Sequence, residues 1–281
     1  MTTTTPSFPD HAAQTISLVP FVETHLPGAM RLSQEAGWPH RVEDWALNLS
    51  VSDGVVALAG DEVVGTALCT NFGEVAALNL IIVDARMRGR GLGARLMERI
   101  IALAGVRELR LVATTEGMPL YTKLDFVETG RIVQHQGVAR ATTPGLPVQD
   151  GHAEECMCLV AMDKDASGMA RGALIGKIIE KGQILRTEGG FALLRDFGRS
   201  RVLGPVVARD AAGARALIAE AATRSAGTFL RIDLPEETGL SGFVEDLGLT
   251  NVGGGTAMVC AARAKTQKEF TTYGLVSQAL G

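Results

Sequence analysis

The sequence predicts a mixed α/β protein, an α+β mixed sheet, built as two successive domains of one architecture. Three observations lead there. The chain has 281 residues, about twice a compact domain of roughly 130 to 150 residues. Within each half, antiparallel hairpins run into a strand, helix, strand crossover, which calls for helices packed on a mixed sheet. The same succession also occurs twice with matching residues. Asn71-Phe72-Gly73 precedes one apolar strand as Asp196-Phe197-Gly198 precedes another, and the helices that follow share Gly93-Ala94-Arg95 and Gly213-Ala214-Arg215.

Residues 1 to 13 are rich in Thr, Pro and Ser and read as a mobile arm. Ile16 to Phe21 has the pattern of a strand. Met30, Leu32 and Ala36 are spaced for a helix that Gly37-Trp38-Pro39 ends. A second short helix is expected over 42 to 49, and the two apolar runs flanking Gly60-Asp61 form a hairpin. The run 75 to 83 is almost wholly apolar, as suits a strand covered on both faces. A Gly-rich turn at 88 to 93, a helix, a strand over 109 to 113, a short helix around Leu120 and a strand from Phe126 complete a first domain, 14 to 138. The polar stretch 139 to 146 is the expected linker. In the second domain, 147 to 263, Asp150 is positioned to cap a helix through Met162, and a further helix precedes strands at 183 to 189, 190 to 198 and 201 to 208. A helix over 211 to 222, a strand over 229 to 235, a helix to Leu247 and a last strand near Ala257 to Cys260 follow, with 264 to 281 as a tail.

Composition narrows the function. Hydrophobic residues make up 46% and charged residues 21%, globular proportions that argue against disorder and fibrous repeats. A formal charge of -4 leaves no broad basic footprint, so nucleic acid is not an expected partner. Cys69, Cys156, Cys158 and Cys260 are too scattered for a disulfide scaffold or a zinc site, so no metal is expected and a reducing cytoplasm fits. No apolar run approaches the roughly 20 residues that span a bilayer, and no membrane association is expected.

The segment VDARMRGRGLGARLM (83 to 97) reads as a strand end, a basic Gly-rich turn and a helix start. Glycines let backbone amides approach a ligand, and a helix N-terminus carries about half a positive charge, so the arrangement suits a pyrophosphate. Arg86, Arg88 and Arg90 add positive charge. A Rossmann fingerprint and a P-loop are both absent. Instead, Arg88-Gly89-Arg90-Gly91-Leu92-Gly93 resembles the R/Q-x-x-G-x-G/A motif of the GNAT (Gcn5-related N-acetyltransferase) superfamily. GMPLYTKLDF (117 to 126) is similar to that family's second signature, with its tyrosine at Tyr121. Two departures are Asp125, where the family usually has Gly, and Thr114, where many members have Asn.

The resemblance implies two tandem GNAT-like domains and acetyl-CoA as co-substrate. Arg88 and the amides of Gly89, Arg90, Gly91, Leu92, Gly93 and Ala94 would hold the pyrophosphate. The backbone of Ile81, Ile82 and Val83 would pair with the pantetheine arm, and Thr114, Gly117, Leu120 and Lys123 would complete the cofactor site. An amide near Ile81 would stabilise the oxyanion. Tyr121 would be the general acid; a core aromatic with a satisfied hydroxyl is its other reading. Asn79, the one polar residue in the apolar strand, would orient water or acceptor, or make a structural hydrogen bond. For a general base, Glu43, Asp44 and Glu74 are the nearby carboxylates, each also readable as a solvated surface charge. Trp38, His40 and Trp45 lie in the segment that walls the acceptor site in the family. Trp38, Glu43 and His135 are the substrate-binding candidates.

The second copy lacks five residues between strand and helix, where the first has Arg88 and Gly91, and places Val244 opposite Tyr121. It reads as a degenerate GNAT-like domain that shapes the acceptor site or forms a homodimer interface. The expected activity is acetyl-CoA-dependent transfer to a small-molecule amine by direct attack in a ternary complex. Alternatives are a non-catalytic acyl-CoA sensor and a protein N-terminal acetyltransferase.

Overall fold

Helices and strands alternate much as the sequence predicts, in a computed structural model that describes residues 15 to 264 and 267 to 281. The expected arm at 1 to 13 lies outside the described residues. The first half contains β1 (Ile16–Pro20), α1 (Leu26–Glu35), α2 (Val42–Leu49), β2 (Asp53–Ala59), β3 (Glu62–Phe72), β4 (Val75–Val83), α3 (Leu92–Ala104), β5 (Glu108–Ala113), α4 (Met118–Thr122) and β6 (Val127–Val138). The second contains β7 (Gln149–Asp150), α5 (Cys156–Ser167), α6 (Gly172–Ile179), β8 (Gln183–Thr187), β9 (Gly190–Phe197), β10 (Ser200–Ala208), α7 (Ala211–Arg224), β11 (Phe229–Pro235), α8 (Ser241–Asp246), β12 (Thr250–Cys260) and β13 (Thr271–Gly274).

Local chemistry explains most boundaries. Helix α3 buries Leu92, Leu96, Met97, Ile100 and Ala104, one apolar stripe at helical spacing, and stops at Gly105. Three expectations need correction. Asp150 lies in strand β7 and pairs with Arg224 rather than capping a helix; Glu155 instead accepts from the His152 amide at 2.8 Å, and α5 begins at Cys156. Strand β12 starts at Thr250, because Gly253-Gly254-Gly255 continues the strand. A Cβ at Gly254 would lie 1.9 Å from the Ile132 carbonyl oxygen, so glycine is what lets β6 approach there. Within 264 to 281, expected as a tail, lies β13, and Val276 and Leu280 beyond it are packed into a core with α5 and α6.

All the strands join one sheet in the order β1-β2-β3-β4-β5-β12-β6-β11-β10-β9-β8-β7, with β13 added on β10. The two halves therefore exchange strands. β12, the end of the second half, pairs antiparallel with β5 from Thr256↔Ala113 to Cys260↔Leu109. β6, from the first half, pairs with β11 from Phe229↔Val138 to Pro235↔Ile132. Each half borrows the strand that closes its own sheet.

Helices α3 and α4 cover one face of the first half, where Leu96, Ile100 and Tyr121 share a core with Leu78, Leu111 and the borrowed Met258. On the opposite face, Phe72, Val75 and Ala77 share a core with Leu159, Leu174 and Ile175 of α5 and α6. The repeated Phe-Gly turns add further contacts between halves. The Ala170 amide donates to the Phe72 carbonyl at 3.1 Å, and the Gly198 amide to Asp44 Oδ2 at 2.9 Å. Each turn docks near the helix–helix connection of the other half.

Candidate active site

Strands β4 and β5 run parallel only over Val75↔Glu108, Ala76↔Leu109 and Ala77↔Arg110, then part. Their counterparts β10 and β11 pair over Arg201↔Leu230, Val202↔Arg231 and Leu203↔Ile232, and part likewise. The outcome differs. In the second half β13 fills the gap, pairing Val206↔Gly274, Val207↔Thr272 and Ala208↔Thr271, and the Leu275 amide reaches the Asp233 carbonyl at 2.9 Å. The same 125-residue offset that aligns Phe72 with Phe197 places Ile81, Ile82 and Val83 opposite those three positions. Among the described residues, no strand pairs with Ile81, Ile82 or Val83 on the β5 side.

The gap contains an aimed donor. Between Thr66↔Ile82 and Leu68↔Asn79 the register shifts, leaving Leu80 and Ile81 as a bulge, with Leu80 at φ 47°. Such a conformation costs a non-glycine residue about 1–2 kcal/mol. The Thr66 hydroxyl donates to the Leu80 carbonyl at 2.7 Å, so that carbonyl faces β3. A trans peptide is planar, with C=O and N–H opposed. The Ile81 N–H therefore points away from β3, into the gap.

Just beyond β4, Gly89 and Gly91 adopt φ 75° and 73°, and nothing lies within 4 Å of the Cβ either would carry. Gly91 is the N-cap of α3 and no side chain caps the helix, so the amides of Leu92, Gly93 and Ala94 begin the helix without partners from within it. Arg88 and Arg90 are exposed beside this turn. Arg86 is not part of that positive rim: it pairs with Asp84 at 2.6 Å and Glu62 at 2.5 Å, and its hydrogen bonds hold the Asp84 carboxyl down to about 2. In the second half Asp210 caps α7, accepting from the Gly213 amide at 2.8 Å. A carboxylate thus caps the helix start that no side chain caps in the first half. Cavities of about 750 Å³, beside Asp150 and Arg201, and about 610 Å³, beside Gly189 and Asp210, lie in the second half.

Tyr121 on α4 is buried in the core with Leu78, Leu111 and Ala113, edge-on to Phe126 at 6.2 Å. Burial pushes its hydroxyl up to about 12, so it stays protonated at neutral pH. That hydroxyl makes no hydrogen bond to another described residue. Of the remaining cofactor candidates, Leu120 would contact a Cβ at Gly93 at 3.2 Å, the Thr114 hydroxyl accepts from the Gly117 amide at 3.3 Å, and Thr114 and Lys123 are exposed. Asn79 is buried at the bulge, and its Oδ1 has no partner.

The aromatic cluster around His40 draws on both halves. His40 lies 5.8 Å from Trp38, 6.2 Å from Trp45 and 5.6 Å from Phe197 of the second half. Burial lowers His40 to about 4, leaving it neutral and weakly basic at pH 7. Arg195 and Arg231 stack on Phe197 at 5.1 and 5.3 Å. Sequence patterns missed these second-half contacts, although the repeated Phe-Gly turn marked the position of Phe197. Two of the substrate-binding candidates lie apart from these rings. Glu43 is exposed on α2 rather than gathered with the aromatic residues. His135 is buried on the α8 side, 3.7 Å from Glu245, while Gln134 on the opposite face meets Gln278 at 3.2 Å. The other two carboxylates considered as a base are both engaged: Asp44 is held by Arg41 at 3.0 Å and by Gly198, and Glu74 pairs with Arg263. No group of three metal-ligating side chains occurs among the described residues, and no helix there is long and apolar enough to cross a membrane.

Comparisons with known proteins agree with this architecture. Two family models, each described as an acetyltransferase (GNAT) domain, match residues 51–128 and 159–274 and between them span most of the chain. An uncharacterized N-acetyltransferase of Bacillus subtilis (strain 168), YitH, is 28% identical over 289 residues, covering 94% of this chain and 98% of its own. A crystal structure of a Pyrococcus horikoshii protein superimposes with a TM-score of 0.83 at 20% identity, over 95% of this chain and 96% of that one. A tandem GNAT protein from the clavulanic acid biosynthesis pathway gives 0.62 at 12% identity, over 89% and 100%. At those identities the structures speak for the fold. With a GNAT domain matched in each half, the chain belongs to the GNAT acetyltransferases and carries two such domains in tandem.

Proposed function

We propose that the first half binds acetyl-CoA in the gap beside Ile81–Val83 and catalyses acetyl transfer to the amine of a small molecule by direct attack, with Tyr121 as general acid. The observation that carries this reading is the internal contrast. One chain has two copies of the same splayed groove; the second is filled by β13 and its helix start by Asp210, whereas among the described residues no strand fills the first and no side chain caps its helix.

The residues present fit coenzyme A. Extended backbone at Ile81–Val83 suits the amide-bearing pantetheine arm as an added strand, and the 88–94 turn suits its pyrophosphate. When bound, the thioester supplies an activated acetyl carbon, so no enzyme nucleophile is required. The Ile81 amide donates to the carbonyl oxygen where negative charge develops. The Tyr121 hydroxyl, protonated and without a protein partner, gives its proton to the leaving sulfur. With Asp44 and Glu74 both engaged, the amine loses its proton to water.

Calorimetric titration with acetyl-CoA, followed by thiol release over a panel of amines, tests the reading. Binding followed by amine-dependent release is expected; binding with no release on any amine would favour a binding-only role. Tyr121→Phe is expected to lower kcat about 100-fold or more while leaving acetyl-CoA affinity within about twofold. Full activity in that variant removes the acid role.

A further inference from the structure

Asn79 is held in one orientation by a directed chain of hydrogen bonds. The Ser52 hydroxyl donates to the Asn48 carbonyl at 2.7 Å. Ser52 Oγ and Thr70 Oγ1 are 2.6 Å apart. A hydroxyl has one proton, and that of Ser52 is committed to Asn48, so Thr70 donates to Ser52. The Thr70 oxygen then accepts from Asn79 Nδ2 at 2.9 Å, and the same nitrogen lies 3.2 Å from the Ala77 carbonyl. A flipped carboxamide would set its oxygen against the Ala77 oxygen and against a hydroxyl with no proton to give. The network therefore selects the orientation that leaves Oδ1 as a bare acceptor.

That oxygen is buried and has no partner, a state a folded protein rarely tolerates without a use for it. Asn79 directly precedes Leu80, whose peptide aims the Ile81 N–H into the gap. An acceptor and a donor thus sit two residues apart on one strand, Asn79 toward the α2 side and the Ile81 N–H within the sheet. The chain continues outward as well. Asn48 Nδ2 donates to the Asp44 carbonyl at 2.8 Å, and the Asp44 carboxylate takes the Gly198 amide of the second half at 2.9 Å.

We infer that Asn79 Oδ1 accepts an N–H of the attacking amine, and that Thr70, through Ser52 and Asn48, is the positioning residue that keeps that oxygen presented. The inference rests on the acetyltransferase reading above. An amide oxygen does not take up a proton near neutral pH; it orients the nitrogen, whose lone pair forms the new bond to the acetyl carbon. The C–S bond breaks with its electron pair on sulfur, sulfur takes the Tyr121 proton, and the proton lost by the amine returns to Tyr121 through water. The second half thereby acquires a function without a site of its own: its Gly198 turn anchors the outer end of the chain.

Hydroxylamine, small enough to need no acceptor pocket, serves as the nucleophile in the test, with thiol release measured on the full chain and acetyl-CoA binding measured in parallel. Thr70→Val is expected to lower kcat about tenfold with unchanged acetyl-CoA affinity, and Thr70→Ser to restore it. Asn79→Ala is expected to lose at least as much, and the Asn79→Ala/Thr70→Val double variant no more than Asn79→Ala alone. Wild-type turnover in Thr70→Val, additive losses in the double variant, or a rate loss matched by lost acetyl-CoA binding would overturn the inference while leaving the acetyltransferase reading in place. Wild-type protein that binds no acetyl-CoA, or that releases no thiol to hydroxylamine or to any amine of the panel above, overturns that reading and the positioning chain with it.

Discussion

Gly91→Glu is expected to abolish acetyl-CoA binding in calorimetry while the protein remains folded. The two effects have opposite signs at this residue. Gly91 has φ 73° and no atom within 4 Å of the position a Cβ would take, so the side chain meets no clash and the backbone penalty is only about 1–2 kcal/mol. A negative charge near a helix N-terminus returns about 0.3–1 kcal/mol of that. For the ligand the balance reverses. A carboxylate about 4 Å from a phosphate charge at an effective dielectric near 20 repels it by about 4 kcal/mol, close to a thousandfold in affinity. Gly91→Ala, with the strain and no charge, should retain most of the binding. Equal losses in both variants would show that backbone conformation, not charge, governs this turn.

A fragment ending at residue 147 is expected to fail to fold. The domain boundary in sequence is not a boundary in the sheet, because β12 lies between β5 and β6. Without it, β5 becomes an open edge and β6, whose partners β12 and β11 are both removed, is left unpaired, so the backbone groups that pair with Thr250–Cys260 and Phe229–Pro235 lose their partners. Met258 leaves the core of the first half, and Phe72, Val75 and Ala77 lose their cover from α5 and α6. Near-UV circular dichroism of the fragment should be flat, its surface should bind hydrophobic dye, and the full chain should unfold in one cooperative transition. Mixing with a fragment from 148 to 281 should restore native signal. A fragment that folds alone would contradict the exchange. For the same reason, deleting the second half is not a clean test of its role at the acceptor wall.

Most individual elements were legible in the sequence because their causes are local. The apolar run 75 to 83 is β4, and the periodic stripe after Gly91 is α3. Strand partners were not legible: β6 and β12 have similar local patterns, and which edge each joins is set by tertiary packing alone. Asp150 misled because aspartate at a helix start and aspartate in a short edge strand look alike until Arg224, far along the chain, supplies its partner. The 88–94 turn and Tyr121 could be found from motif spacing. The Ser52–Thr70–Asn79 chain could not, since it joins side chains from a loop and two strands that share no pattern. Nor could β13, whose partner β10 lies more than sixty residues away, although the five residues missing before α7 already marked the second copy as different there.

The central claim is that one groove of two takes the cofactor. Amide hydrogen exchange of the full chain, with and without saturating acetyl-CoA, measures it most directly. New protection is expected at Ile81–Val83 and at Gly89–Ala94, and none at Val206–Ala208, where β13 already pairs with β10. Protection gained at Val206–Ala208, or saturable binding with no change at Ile81–Val83, would contradict it.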